Sequence, residues 1–160
     1  MKKTLLALAL IGASTTAFAD SWIYGGASVG QSDLNGKTST SMTVHAGTGI
    51  LPFIGVEAGY TDHGDFDIAA NQELSASSVY FALKPSIDFG PLHVYARAGA
   101  HSWDKEINGS KIDDGIDLMY GFGAEYFIMG PFSVGASYNN YELDNDNIDS
   151  FTLNATFHFL

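Results

Sequence analysis

Alternation of apolar and polar residues is the feature that most constrains this chain, and residues 150–160 show it most clearly. Over that stretch the odd positions are apolar or aromatic, while the even positions below 160 are polar. Period-two alternation gives an extended strand one apolar face and one polar face. Such a strand needs a partner, because an exposed apolar edge aggregates. The simplest partner is the first strand of the same chain, which predicts a closed barrel.

Eight stretches share this alternation, and together they predict an all-β fold, an eight-stranded antiparallel up-and-down transmembrane β-barrel. They are residues 21–30, 41–50, 54–61, 77–87, 92–103, 115–128, 132–141 and 150–160. Strands of roughly 8–12 residues suit a tilted crossing of a bilayer.

The connections between these stretches differ in kind. Three are tight and carry Pro52, Pro91 and Pro131, spaced 39 and 40 residues apart. The other four are longer, polar and acidic, so we expect four exposed acidic loops. Short turns at one end and longer loops at the other are typical of outer-membrane barrels. The longer connections are residues 31–40, 62–76, 104–114 and 142–149.

The first 19 residues predict a cleaved signal peptide. A basic start, an apolar stretch over residues 5–11 and an Ala-Phe-Ala cleavage site at 17–19 fit that pattern. We therefore expect residues 20–160 to form the barrel, exported through the inner membrane to the cell outer membrane. The apolar stretch is shorter than the ~20 residues that a transmembrane helix needs. Only a closed barrel could then place the rest of the chain in a bilayer.

The charge of the chain excludes several classes of partner. Its net charge is −11, and loss of Lys2 and Lys3 with the signal peptide would make it −13. A strongly acidic protein repels nucleic acids, heparin-like polyanions and anionic membrane surfaces. No nucleic-acid partner is therefore expected.

Aromatic residues collect at both ends of the predicted strands, as expected for rings at headgroup depth. On this basis the apolar faces, which include Val56, Leu83, Val94 and Leu153, should contact outer-membrane lipid and lipopolysaccharide. One belt comprises Trp22, Phe53, Phe89, Tyr126, Phe132 and Phe159; the other comprises Tyr60, Tyr120, Tyr138 and Phe151.

The opposite faces should fill a narrow lumen. Glu57, Lys84, Arg97 and Glu125 fall on the inward faces of four consecutive strands at similar depth, and their charges cancel. We expect a hydrogen-bonded network, since an unpaired charge there would be costly. The network could be a gate that exchanges partners and passes small ions, or a structural plug. The plug is favoured because it already explains the residues.

Two other kinds of site are weighed and set aside, and no cofactor is expected. His45, His93, His101 and His158 also point inward, but His101 and Ser102 are adjacent and therefore face opposite ways, which disfavours a hydrolase triad. Residues 144–149 suggest a calcium loop but lack its glycine and terminal glutamate. No metal site and no enzyme activity are predicted.

Four stretches resemble the small eight-stranded outer-membrane barrels, namely the transmembrane domain of OmpA and its OmpX and Ail relatives. They are residues 24–30 (YGGASVG), 55–60 (GVEAGY), 95–99 (YARAG) and 123–126 (GAEY). The resemblance covers the whole mature chain, which also looks similar to the small barrels called accessory colonization factors. It implies insertion by the outer-membrane assembly machinery, which reads the last strand, here with Phe151, Leu153, Phe157 and Phe159.

The resemblance has one informative departure. In the OmpA domain a gating arginine lies on the seventh strand, and Gly135 stands at the matching position here. We expect a structural or surface-interaction role, of the adhesion or colonization type, with host or envelope proteins as possible partners through the loops. The alternatives are a minor-conductance channel gated by the lumenal charges and, less favoured, a lipid-modifying enzyme.

Overall fold

The computed structural model describes residues 23–159, which form one closed barrel of eight antiparallel strands paired in sequence order. The predicted fold is confirmed. The predicted signal peptide, Trp22 and Leu160 lie outside the described residues. No helix within them is long and apolar enough to cross a membrane. The strands are β1 (Ile23–Leu34), β2 (Lys37–Leu51), β3 (Ile54–Ala69), β4 (Gln72–Phe89), β5 (Leu92–Ile107), β6 (Ser110–Met129), β7 (Phe132–Leu143) and β8 (Asp146–Phe159).

The first and last strands close the barrel. β1 pairs with β8 along its whole length, from Ile23 opposite Phe159 to Leu34 opposite Ile148. This pairing removes both sheet edges that an open eight-stranded sheet would expose.

The prediction of four long exposed loops is wrong. The strands continue through those stretches, and each pair is joined by a two-residue turn at residues 35–36, 70–71, 108–109 or 144–145. Asn35 and Gly36 have φ values of 52° and 80°, and Asn108 and Gly109 have 50° and 77°. Two consecutive positive φ values are typical of type I′ hairpin turns, whose twist matches that of the flanking strands. The two ends of the barrel therefore differ because the strands extend further at one of them, not because its loops are longer. We call this end, opposite the proline-containing turns, the rim.

A bulge in β3 sets the direction of its upper side chains. The pairing of β3 with β4 shifts between Asp62 and Asp65, so His63 and Phe66 both point inward. Gly64 lies in the bulge with φ of 79°, and a Cβ there would come within 2.3 Å of the Thr40 carbonyl oxygen. Only glycine fits this position without strain.

Around the lower part of the barrel, toward the short proline-containing turns, apolar residues face outward. Leu83 is 53% exposed and Leu153 is 61% exposed on this outer surface, whereas Glu57 and Arg97 are buried inside. This arrangement is the reverse of a water-soluble barrel and suits a hydrocarbon surround.

Toward the rim the distribution inverts. The interior there is an apolar cluster that includes Phe66, Leu74, Leu143 and Ile148, while polar residues such as Glu73 lie on the outside. The prediction of a polar lumen therefore holds for the lower interior and is wrong for the upper interior. The inversion is what the chain requires if the lower barrel lies in lipid and the upper barrel stands in water.

Candidate functional site

The four predicted lumenal charges lie together in the lower interior. The Lys84 Nζ atom is 3.3 Å from Glu57 Oε2 and 3.9 Å from Glu125 Oε1. The Arg97 Nε atom is 2.7 Å from Glu57 Oε1, although its N–H is not aimed along that line, so this contact is an ion pair rather than an aligned hydrogen bond. All four side chains are buried. Charged side chains buried this close together are tolerated only when each is paired with an opposite charge.

Tyrosines complete the surroundings of Glu57 and of the two cations. The hydroxyl of Tyr24 donates to Glu57 Oε2 at 3.0 Å, and that of Tyr80 donates to Oε1 at 2.8 Å. The Lys84 Nζ atom also lies 4.3 Å from the ring centre of Tyr24 and 4.2 Å from that of Tyr95. Such cation–π contacts supply attraction where water is excluded. Glu57 is thus held by groups from β1, β4 and β5.

Glu125 carries the network across to the closing strands. Its Oε2 atom accepts a hydrogen bond from Ser133 at 2.8 Å, and its Oε1 atom accepts one from Asn154 at 2.9 Å. The His158 Nε2 atom is 3.6 Å from Oε2. The network therefore reaches from β1 and β3 to β7 and β8 and fills the cross-section of the lumen.

Gly135 lies directly against this network and leaves no room for a side chain. A Cβ at this position would stand 2.1 Å from the Ala124 carbonyl oxygen and 2.8 Å from Glu125 Cγ. The resemblance noted in the sequence predicts that this position matches the gating arginine of the OmpA domain. A gate of that design has no place in this lumen.

A layer of histidines lies between the charge network and the rim. Ser78 Oγ is 2.9 Å from His63 Nε2 and 3.1 Å from His101 Nδ1. The ring of Tyr141 meets both histidines edge-on, at centroid distances of 4.6 Å and 5.2 Å. The other ring nitrogen of His101 contacts the carbonyl oxygen of Glu142 at 2.8 Å. The predicted inward direction of His45, His93 and His101 is found, and His158 is half-buried.

His63 was not predicted, because its segment was assigned to a loop. The His63 ring is in hydrogen-bonding contact with the Ser78 hydroxyl, as a hydrolase site would require. However, Ser78 is buried beneath the apolar cluster, and His101 contacts a backbone carbonyl rather than a carboxylate. An accessible nucleophile and a third group that stabilises imidazolium are both needed for hydrolase chemistry. This layer meets neither requirement.

The apolar cluster forms a plug above the histidines. Trp103 and Phe66 are its largest fully buried side chains. Gly115 makes room for Trp103, because a Cβ there would come within 2.7 Å of the indole ring. The indole N–H donates to Asp117 Oδ2 at 2.7 Å. The cluster comprises Leu34, Phe66, Leu74, Ala76, Ala82, Trp103, Met119, Leu143 and Ile148, together with the rings of Tyr80 and Tyr141.

The hairpin turns at the rim are tied to one another by side chains. Asp146 accepts hydrogen bonds from Asn35 Nδ2 at 2.9 Å and from Lys105 Nζ at 3.1 Å, which joins three hairpins. These two donors hold the pKa of Asp146 below its ordinary value. Asn108 reaches the β3–β4 turn through the backbone of Glu73 and the Asn71 carbonyl. The rim is therefore a fixed surface rather than a set of loose loops.

The carboxylates of the stretch that suggested a calcium loop are engaged by protein donors. Asp149 accepts from the Tyr138 hydroxyl and from Asn140 Nδ2, both at 2.6 Å. Residues 23–159 contain no group of three or more side chains placed to hold a metal ion. The geometry thus gives no support to a cation site in this turn.

The residues predicted as an assembly signal lie on the outer face of β8, at the seam with β1. Phe151, Leu153 and Phe159 are exposed there. Phe157 packs edge-on against Phe159 and Phe132, at centroid distances of 4.7 Å and 4.8 Å. They form a continuous apolar stripe on the closing strand.

Comparison with known proteins gives one family and several structural neighbours. The model of a family described as the outer membrane protein beta-barrel domain matches residues 4–159. No curated protein sequence matches the chain.

Three solved barrels illustrate the structural similarity. Neisserial surface protein A shares 16% identity at a TM-score of 0.69, with 86% of this chain and 96% of that one covered. Ail of Yersinia pestis shares 18% at 0.62, with 88% and 99% covered. The N-terminal barrel domain of Pseudomonas aeruginosa OprF shares 12% at 0.63, also with 88% and 99% covered. At these identities the likeness concerns the fold alone.

Proposed function

This chain belongs to the outer membrane protein β-barrel domain family, and from that premise we propose that it is a sealed, non-conducting barrel that holds a rigid acidic rim at the cell surface. The observation that carries the proposal is the plug of Phe66, Trp103, Leu143 and Ile148, which lies across the lumen above a neutralised charge network. A barrel closed in this way acts through its outer surfaces.

Ion conduction is the alternative that the lumen disfavours. A hydrated ion crossing the barrel would have to displace the paired charges, then the Ser78 hydroxyl between two histidines, and then the apolar plug. The side chains of all three layers are buried, and an apolar constriction resists wetting. Rearranging the lumenal ion pairs alone would leave the plug in place.

The rim supports an interaction role of the adhesion or colonization type, with a protein partner of the host or the envelope. Its side chains are fixed by bonds between hairpins, and a preordered surface loses little entropy on binding. One structure of Ail is a complex with the heparin analogue sucrose octasulfate. The acidic rim here disfavours such a polyanion and favours a cationic partner.

Two further contacts follow from the outer surface. The exposed apolar band would meet outer-membrane lipid and lipopolysaccharide, and the β8 stripe of Phe151, Leu153, Phe157 and Phe159 would be read by the outer-membrane assembly machinery. Catalysis on lipid is disfavoured, since Glu57, Lys84, Arg97 and Glu125 are buried inside the lower barrel rather than placed on its lipid-facing wall. Overexpression should leave the mass spectrum of lipid A unchanged.

Single-channel recording in planar bilayers tests the sealed lumen. The wild-type protein should give no stepwise conductance, and Arg97→Ala, which leaves the plug intact, should also remain silent. A variant with Phe66→Ala and Trp103→Ala, checked for folding by heat-dependent gel migration, should raise leakage. Reproducible wild-type openings that change in size with Arg97→Ala would instead support a channel gated by the lumenal charges.

A further inference from the structure

The end of the barrel opposite the rim is apolar at its turns as well as on its wall. Tight turns at residues 52–53, 90–91 and 130–131 join the strands there. Met129, beside the third turn, is 74% exposed. An exposed apolar patch marks a surface that meets another apolar phase. We call the three turns and their exposed apolar side chains the turn surface; these side chains are Leu51, Phe53, Phe89, Leu92, Met129 and Phe132.

The turn surface carries almost no charge. Residues 50–54 and 127–132 contain no ionisable side chain, and residues 87–92 contain one, Asp88. The Asp88 Oδ1 atom lies 2.5 Å from the Nδ1 atom of His93. The three stretches contain no basic residue. The surface therefore has no positive charge with which to attract an anionic partner.

The backbone of the three turns suits a medium that supplies few hydrogen bonds. Each turn contains a proline, which has no N–H that could be left unsatisfied. One carbonyl in each turn also accepts a hydrogen bond from the backbone of a neighbouring strand. Within a bilayer, the protein itself must satisfy its polar backbone groups. The acceptors are the carbonyls of Phe53, Pro91 and Pro131, bonded to the amides of Ser86 at 3.0 Å, Phe127 at 2.9 Å and His158 at 2.8 Å.

The height of the apolar wall places the turn surface at the edge of the hydrocarbon. Along β4 the outward residues from Val79 to Phe89 are all apolar, and the next outward position toward the rim is Ser77. Val79 and Phe89 are ten residues apart, which at ~3.3 Å per residue and a tilt of ~40° gives a height of roughly 25 Å. The apolar band of an outer-membrane barrel is about 25 Å tall. The band is therefore complete only if it extends down to the turn that follows Phe89.

We propose that the turn surface is a lipid-binding surface, seated in the zwitterionic phospholipid of the periplasmic leaflet where acyl chains meet headgroups. The inference rests on the proposed placement of the rim at the cell surface and names what the other end contacts. Burial of the apolar side chains would supply the affinity, and aromatic rings favour this depth. Basic residues are what attract anionic lipid, so binding here does not require it. The turns would then fix the depth of the barrel in the membrane.

A periplasmic protein fits the turn surface less well. A protein interface commonly surrounds its apolar core with a polar rim. Here the neighbouring outward residues, Ile87 and Ile128, are also apolar and exposed. The turn surface is thus continuous with the wall that we assign to lipid. A partner protein would have to displace lipid from that wall in order to cover the turns.

Fluorescent labels on the full chain test the placement of the turns. The chain has no cysteine, so Phe53→Cys, Phe89→Cys and Met129→Cys can each carry a nitrobenzoxadiazole label in phosphatidylcholine nanodiscs. Glu73→Cys at the rim is the water-exposed control. The turn labels should be quenched severalfold less by iodide than the Glu73 label, and more by lipid nitroxides near the headgroup than by nitroxides near the chain ends. Replacing part of the lipid with phosphatidylglycerol should leave these results unchanged.

A charged variant tests the anchoring role. Charged side chains are costly in the bilayer, so Phe53→Asp combined with Met129→Asp should draw the turns toward water. In this variant the Phe89 label should become severalfold more accessible to iodide. Ile68→Asp with Ile112→Asp is the matched control, because it adds the same charges at exposed apolar positions of the rim. Heat-dependent gel migration checks that both variants fold, and unchanged access in the folded turn variant would contradict anchoring.

Iodide access to the three turn labels equal to that at Glu73 would overturn the proposal. If a label at Leu83 were still shielded, immersion of the lower wall would stand. Shielding of the turns only when phosphatidylglycerol is present would contradict binding to zwitterionic lipid. Labels exposed in nanodiscs but shielded in isolated outer membranes would show that a protein covers the turns, which would also overturn the proposal. Wild-type conductance in planar bilayers would remove the sealed-barrel function, whatever the turn labels show.

Discussion

Arg97 of β5 and Glu57 of β3 meet inside the barrel with 2.7 Å between Nε and Oε1, although their strands are separated by β4. Both side chains are buried, and Glu57 also binds Lys84 and two tyrosine hydroxyls. The pair therefore joins two non-adjacent strands of the wall through the lumen.

Arg97 and Glu57 should depend on each other for their contributions to stability. Arg97→Ala leaves Glu57 buried beside a single cation and should lower the unfolding free energy by about 3–5 kcal/mol. Glu57→Gln combined with Arg97→Met should cost clearly less than the sum of Glu57→Gln and Arg97→Met measured singly. Urea unfolding in lipid vesicles measures both, and strict additivity would show that the two side chains do not depend on each other.

Gly135→Ala should impair folding of the barrel. The new Cβ would overlap the Ala124 carbonyl oxygen, and backbone cannot move aside as a flexible side chain can. Gly25→Ala is the matched control, since the nearest atom to its Cβ would be a carbonyl oxygen at 3.6 Å. Heat-dependent gel migration should show a reduced folded fraction for Gly135→Ala only; normal folding of both variants would mean that the space beside Glu125 is wider than described.

Phe66→Ala should open a cavity in the plug. A fully buried phenylalanine typically contributes about 3–5 kcal/mol when truncated to alanine. Phe122 lies on the outer surface and serves as the control, for which a much smaller loss of unfolding free energy is expected. Similar losses for the two variants would contradict the apolar core assigned to the upper barrel.

Stability of the rim should fall in acid. Hydrogen bonds from Asn35 and Lys105 lower the pKa of Asp146, and those from the Asp144 amide and Trp103 lower that of Asp117. A carboxylate with a depressed pKa stabilises the fold above its ordinary value of 3.8 and loses this contribution as pH falls through the folded value.

Amide hydrogen exchange at residues 143–148, compared between pH 6 and pH 3, measures this effect, with intrinsic rates corrected. Protection should drop in acid for wild type and should be low at both pH values in Asp146→Asn. Equal protection of the wild type at the two pH values would show that the contacts between the rim hairpins do not depend on the charge of Asp146.

The sequence predicted the lower barrel well because lipid imposes a simple rule there. Residues such as Leu83 must be apolar and residues such as Glu57 can be polar, so period-two alternation is visible. Near the rim the rule reverses, and the inward residues Leu34, Leu74 and Ile148 stand singly among polar neighbours. These segments therefore resembled loops, although Asn35-Gly36 and Asn108-Gly109 are strong hairpin signals.

The bulge at Gly64 is the reason that the inward residues of upper β3 could not be predicted from the sequence pattern. One extra residue in β3 breaks the alternation between His63 and Phe66, so a strict period-two pattern cannot place both inside. The ion pairs of Glu57, in contrast, followed directly from face and depth. The pairing of β6 with β7 depends on register, which alternation alone does not specify.

Site-directed spin labelling tests most directly the claim that lipid wets the lower wall and water the upper one. The chain has no cysteine, so single cysteines at Leu83, Leu153 and Glu73 can each carry one nitroxide in lipid vesicles. The labels at Leu83 and Leu153 should be relaxed by oxygen and shielded from a nickel chelate, and the label at Glu73 should show the opposite. Equal access of the nickel chelate to all three positions would contradict the account.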